Sequence, residues 1–270
     1  MAVAYCEASL NYTSGIESVP QQMTILDGRE ALDELDFDQC CFTLLQHRSK
    51  ITDWSNADQL KSIYEAETAQ LAQKLSGCDL MVPYPGLIRS VAATEQHIDY
   101  APIHSVHTDY TEDFDAMVRD ADHTYGGFLG PLLKRYGLSY EDVQNASRIA
   151  MMQFWRNTGD PQPDFPLAVC DATSVSENQL GRYRVAEYAG EPLDFETFYL
   201  EASADSTLNR WYTFPGMSVD EVIAFRAFDS DYVDQNRPFW TFHSAFKDST
   251  VGENPPARSS VESRVLCLWR

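Results

Sequence analysis

The 270-residue sequence predicts an α+β chain with a mainly β core. Helices come first, then a sandwich, jelly roll or barrel that carries a helical insertion. Two observations predict this. Short apolar or alternating runs, rich in aromatic and β-branched residues, follow one another from about residue 150, with Pro, Gly, Asp or Asn between them. Before them, helical periodicity dominates two long stretches. The expected organisation is one domain, with a helix-rich part over 1–100 and a β core over 101–270. The insertion falls at about 113–148.

Each element has its own signal. "SNADQLKSIYEAETAQLAQKLSG" places Leu60, Ile63, Tyr64, Leu71 and Leu75 at helical spacing, with Gly77 as its stop. Glu67 and Thr68 interrupt that stripe. In the second helical stretch, Ser139-x-x-Asp142 is a start signal, and Gly126, Gly127, Gly130 and Pro131 break the middle. "IAMMQFW", "RYRVAEY", "FETFYLEA", "NRWYTF", "EVIAFRAF", "RPFWTFHSAF" and "SSVESRVLCLWR" read as strands. "PIHSVHTDY" reads as an earlier strand of the same sheet system. Ser218-x-x-Glu221 has the spacing of a capping box, and Asp171 suits a turn.

Composition excludes several function classes. The net charge is −21, from 41 acidic against 20 basic residues. Such a surface repels phosphate backbones, so nucleic acid is not an expected partner. No apolar run approaches membrane-spanning length, so no membrane association is expected. "MAVAYCEASLNYTSG" has neither a basic region nor a long apolar run, and the expected location is the reducing cytoplasm. None of the six cysteines forms C-x-x-C, and thiols packed as small hydrophobes are expected.

The chemistry concentrates on histidine. In a strand, residues i and i+2 face the same side, so His107 and Asp109 of "SVHTDYT" can share one ion. Two imidazoles and one carboxylate form a facial set that leaves metal positions open for oxygen and substrate. Of the six histidines, only His243 lies in the β-rich half. A competing His-x-Asp pair, His97 and Asp99, stands in "EQHIDYAP". The alternation Ile103, Ser105, His107, Asp109 favours the later pair. Near the C-terminus, Arg258, Ser260, Glu262 and Arg264 are spaced by two and share a face. A guanidinium fork beside a hydroxyl is a receptor for a carboxylate.

The order His-x-Asp, distal His, then Arg-x-Ser resembles the Fe(II)/2-oxoglutarate-dependent dioxygenases. More narrowly it resembles the hydroxylase/desaturase group of secondary metabolism that holds a gibberellin desaturase and the cephamycin 7-hydroxylase component. "SVHTDYT", "FWRNTGDPQPDFPLAVCDATSV", "NRWYTFPGMSVDEVIAFRAFDSD" and "FHSAFKD…PPARSSVESR" carry the likeness, which runs over nearly the whole chain. The resemblance implies a double-stranded β-helix, or jelly-roll, fold. It implies Fe(II), 2-oxoglutarate and O2 as cofactors, and a small natural-product or amino-acid-derived substrate that is hydroxylated, desaturated or cyclised with release of succinate and CO2. His107, Asp109 and His243 would hold iron. Arg258, with Ser260, would bind the distal carboxylate of 2-oxoglutarate, and Tyr212 would donate a further hydrogen bond to it. Arg264 would either share the cosubstrate or hold an acidic group of the substrate, with Arg156 and Arg89 as further substrate residues. Two rivals stay open: a cupin-like metal enzyme without 2-oxoglutarate, and a jelly-roll binding module without catalysis.

Overall fold

The computed structural model describes residues 2–270. Its strands are β1 (Ala4–Ser14), β2 (Glu17–Asp27), β3 (Phe42–Gln46), β4 (Leu80–Pro83), β5 (Leu87–Arg89), β6 (Arg148–Asn157) and β7 (Leu167–Cys170). There follow β8 (Leu180–Tyr188), β9 (Glu191–Leu200), β10 (Trp211–Thr213), β11 (Glu221–Asp229), β12 (His243–Ala245) and β13 (Ser260–Trp269). One sheet has the order β1-β2-β10-β7-β12. A second has the order β3-β11-β6-β13-β4, with β5 also on β13. β8 and β9 form a separate two-stranded ribbon.

The two sheets face each other. Phe42, Trp155, Ile223 and Phe225 of the second pack against Leu167, Val169 and Tyr212 of the first in one apolar cluster. Antiparallel partners directly opposite each other share a face. The register pairs Ser260 with Asn157, Glu262 with Trp155 and Arg264 with Gln153. It also pairs Ile223 with Trp155 and Phe225 with Gln153. These residues therefore line the inner face of the second sheet, and Arg156 and Val261 line the outer one.

The N-terminal part departs from the expected helix-rich region, because it opens on the long hairpin β1–β2. Ala8, Leu10 and Tyr12 are buried at a strand's period of two, while most of their neighbours remain open to solvent. Gly15, at φ +62°, makes the two-residue turn between these strands. The long helix covers the outer face of the second sheet and carries a defect where its stripe was interrupted. It runs Ala57–Gln59, then a π-turn over Leu60–Tyr64, then Glu65–Ser76, and ends at Gly77 with φ +70°. Buried Thr68 satisfies its hydroxyl on the carbonyls of Tyr64 and Glu65. Glu67 turns outward to accept from Ser49 Oγ at 2.6 Å.

Three helices, Phe114–Arg119, Gly126–Arg135 and Tyr140–Gln144, stand between the His-x-Asp segment and β6. The last begins at a capping box formed by Ser139 and Asp142. Ser218 and Glu221 also bond to each other, but no helix follows them. Glu221 begins β11 and accepts a two-pronged bond from Arg29 at 2.7 and 2.9 Å. The expected strand around residues 103–109 is reduced to isolated bridges: Asn11 with Ser105, and His107 with both Tyr199 and His243.

Candidate metal centre and cosubstrate cradle

Backbone pairing sets the site. His107 N–H donates to the His243 carbonyl at 3.3 Å, and His243 N–H donates back at 2.9 Å. Two residues that exchange both bonds present their side chains on one face, and here the imidazole centres lie 4.4 Å apart. Asp109, two residues on, falls on the same side, with Oδ1 at 3.9 Å from His243 Nε2. One ligand atom from each of His107, Asp109 and His243 lies within 4.8 Å of the others.

The ring orientations suit a cation. His107 Nδ1 lies 2.8 Å from the Ser105 carbonyl, and His243 Nδ1 lies 3.0 Å from the Thr241 carbonyl. A carbonyl only accepts, so each Nδ1 carries the proton and each Nε2 keeps its lone pair. Burial and the neighbouring His243 push His107 down to about 4, which keeps it neutral. Burial opposes ionisation of Asp109, but Arg264, His243 and His107 outweigh it and hold its carboxyl below the usual range.

Asp109 is held from behind. Arg264 Nε donates to its Oδ2 at 3.2 Å. Arg264 also meets Glu262 at 3.5 Å, and Glu262 accepts from Arg89 at 2.9 Å. Arg89 continues the chain to Tyr188 Oη at 2.8 Å and to the carbonyls of Asp99 and Ala101. Burial raises the carboxyl of Glu262, yet Arg89 and Arg264 outweigh it and hold the group ionised. This alternation of charges answers the cost that unpaired ions on an inward face would carry.

At the other end of the inner face the polar groups lack partners. Arg258 Nε, Ser260 Oγ, Trp155 Nε1 and Gln153 Oε1 are all buried without a hydrogen bond among the described residues. Burial, then repulsion from Arg89, pushes Arg258 down to about 9, and the charges of Glu262 and Asp164 do not make up the difference. Arg258 Nη1 donates to the Phe165 carbonyl at 3.1 Å, which leaves its Nε and the Ser260 hydroxyl as two neighbouring buried donors without an acceptor, a fit for the distal carboxylate of a 2-oxo diacid. The His-Asp-His set fits Fe(II).

The remaining expected residues separate. Tyr212 lies in the inner cluster, and its hydroxyl is engaged with Arg210 and feels the charge of Asp171. Arg156 is on the outer face. It bonds the carbonyls of His47 and Val219 and the hydroxyl of Tyr64, and it stacks on Trp54 with 5.0 Å to the ring centre. Arg89 and Arg264 reach the site's polar chain, with their charges already matched by Glu262 and Asp109. The competing pair has a structural role: His97 caps the Asp99 N–H, and Asp99 Oδ2 accepts from Ala189 N–H at the tip of the β8–β9 ribbon. Trp155 and Gln153 were missed by the sequence reading. Their signal is a period-two series with polar atoms, Gln153, Trp155 and Asn157, on one face of a strand whose middle is apolar.

Comparison with known proteins agrees with this geometry. The family model described as "Oxidoreductase/YMDC permease-like domain" matches residues 2–268. No helix among the described residues is long and apolar enough to cross a membrane. The chain is 25% identical over 267 residues to the Fe(II)/2-oxoglutarate-dependent dioxygenase nvfI of Aspergillus novofumigatus, covering 96% of this chain and 85% of that protein. It is 26% identical over 271 residues to the hydroxylase/desaturase efuI of Hormonema carpetanum, covering 92% and 84%. Among solved structures, the iron and alpha-ketoglutarate-dependent endoperoxidase NvfI superposes with a TM-score of 0.75 at 21% identity, over 98% of each chain, so the two share a fold. With a family match over nearly the whole chain, the chain belongs to the family that this oxidoreductase model describes, and the relatives that resemble it are named Fe(II)/2-oxoglutarate-dependent dioxygenases and hydroxylase/desaturases.

Proposed function

We propose that the protein is an Fe(II)/2-oxoglutarate-dependent oxygenase that hydroxylates, desaturates or cyclises a small natural product, with His107, Asp109 and His243 as its iron ligands. The observation that carries this reading is the pair of imidazoles with Nδ1 tied to carbonyls and Nε2 free, beside an ionised carboxylate. Arg258 and Ser260 are the proposed receptor for the distal carboxylate of 2-oxoglutarate. When bound, Fe(II) and 2-oxoglutarate supply the oxidative decarboxylation that activates O2 for hydrogen abstraction and releases succinate and CO2.

The chain's own residues do the rest. His107, Asp109 and His243 would hold the ion through three converging atoms, and three protein ligands would leave it positions for oxygen and substrate. Arg264 engages Asp109 Oδ2, so only Oδ1 is turned toward His243 and the metal position. Phe225 packs on the His243 ring at 5.0 Å between centres and keeps water from that side. The arginines expected to receive a substrate carboxylate have their charges matched within the protein or lie on the outer face. That favours a substrate without a carboxylate near the metal, over an amino acid.

The test is anaerobic. Fe(II) and 2-oxoglutarate added to metal-free protein should give the weak visible charge-transfer band of the chelate. His107→Ala and His243→Ala should each abolish it. Tight iron binding without a band would favour the cupin-like rival, and absence of iron binding would leave a binding module.

A further inference from the structure

We propose that the indole N–H of Trp155 is a third donor to the distal carboxylate of 2-oxoglutarate, alongside Arg258 and Ser260. This deepens the reading above and rests on it. The geometry comes from the register of β6 and β13. Ser260 stands opposite Asn157, and Glu262 stands opposite Trp155, so Ser260 and Trp155 are diagonal neighbours on the inner face. The guanidinium carbon of Arg258 lies 5.7 Å from the centre of the Trp155 ring. Arg258, Ser260 and Trp155 are all buried, and each has a polar atom without a partner.

The chemistry of the three groups is one-sided. An indole N–H and a guanidinium only donate, and the serine hydroxyl has a proton to give. In the cluster around Trp155 the facing sheet contributes Leu167 and Val169, which offer no side-chain acceptor, and Tyr212, whose hydroxyl is engaged with Arg210. Three donors without an acceptor are costly, and an acceptor-only group with several lone pairs resolves all of them at once. A carboxylate is such a group. Other tryptophans behave differently. Trp211 gives its N–H to Tyr12 at 2.8 Å. Trp240 also lacks a partner, but it stands among Phe198, Phe239 and Phe242, and among the described residues no arginine stacks on its ring as Arg258 does on Trp155.

The donors share their face with the neighbours of the metal ligands. Gln153 is one pleat repeat from Trp155, roughly 6.8 Å along the strand. It stands opposite Phe225, whose ring touches His243. The orphaned donors and the Phe225 that packs on His243 therefore share one inner face.

The test compares two ligands on wild type and Trp155→Phe, by anaerobic calorimetric titration with Mn(II) in place of iron. 2-Oxovalerate keeps the chelating end of 2-oxoglutarate and lacks its distal carboxylate. Trp155→Phe should weaken 2-oxoglutarate by about tenfold, the scale of one hydrogen bond to a charged acceptor, and leave 2-oxovalerate within about twofold. No loss, or equal loss for both ligands, overturns the proposal. A second measurement needs no variant. With nitrogen-15-labelled tryptophan and Zn(II), one of the five indole N–H resonances should move downfield with 2-oxoglutarate and stay in place with 2-oxovalerate. If none moves, the indole is not a donor. Wild type that binds no 2-oxoglutarate at all would sink the oxygenase reading itself, whereas tight binding unchanged in the variant would sink only the role of Trp155.

Discussion

Arg264 shows why residue type alone misleads. An inward arginine beside a metal site reads as a receptor for substrate, and the sequence offers no way to know that its charge is spent. Its Nε instead holds the Asp109 oxygen on the far side from the histidines. Arg264→Leu should free that oxygen and leave Glu262 with Arg89 alone. Second-layer partners of metal ligands are worth about 10- to 100-fold in affinity. Mn(II) binding followed by electron paramagnetic resonance should weaken by about that factor, and an unchanged affinity would show that Asp109 is positioned without Arg264. The ligands themselves were legible, because only one histidine stands in the β-rich half and His-x-Asp shares a strand face. The second layer was not, because Arg89 and Glu262 are 173 residues apart and meet only through the pairing of β5 with β13.

β6 separates two chemistries by alternation. Gln153, Trp155 and Asn157 face the site, while Arg156 faces the helix over Ala57–Ser76 and is fully buried there. Arg156→Lys keeps the charge but loses the fork that spans two carbonyls and a tyrosine hydroxyl. We expect a loss of about 2 kcal/mol in stability from the unmet acceptors, read as a lower Tm. The affinity for 2-oxoglutarate should stay within about twofold, and a folded variant with strongly weakened binding would return Arg156 to the site. The strands β6, β11 and β13 were legible from their β-branched and aromatic runs. The β1–β2 hairpin was overlooked because "AYCEASLNYTS" and "ESVPQQMTILD" are polar on one face. Their buried positions recur every two residues but are few, and Gly15 gives only a weak turn signal. The strand at "RPFWTFHSAF" shrank to His243–Ala245 because its earlier aromatics pack in the core without a ladder partner.

Across the whole molecule, acidity and burial work against each other as pH falls. A net charge of −21 repels itself, and that repulsion weakens as surface carboxylates protonate. Three carboxylates behave differently. Glu221 is drawn down to about 2, first by the hydrogen bonds from Arg29, against a smaller burial penalty. Asp109 and Glu262 also lie below their ordinary values, because Arg264 and Arg89 outweigh burial. A carboxyl depressed in the folded state contributes stability that is fully present above its unfolded pKa, near about 4.3 for Glu. That contribution is lost as pH falls through the folded value. The two effects have opposite signs and meet near the unfolded carboxylate range. Tm should therefore rise modestly from pH 8 to about 5 as repulsion is relieved, then fall steeply below about pH 4.3. Added salt should flatten the upper limb, since it screens surface charge and reaches the buried pairs far less. In Glu221→Gln the lower limb should become shallower, because one of the depressed protonations is gone, and its Tm at neutral pH should already sit below that of wild type. A lower limb of unchanged slope in that variant would mean that Arg29 and Glu221 do not set the acid stability of this fold.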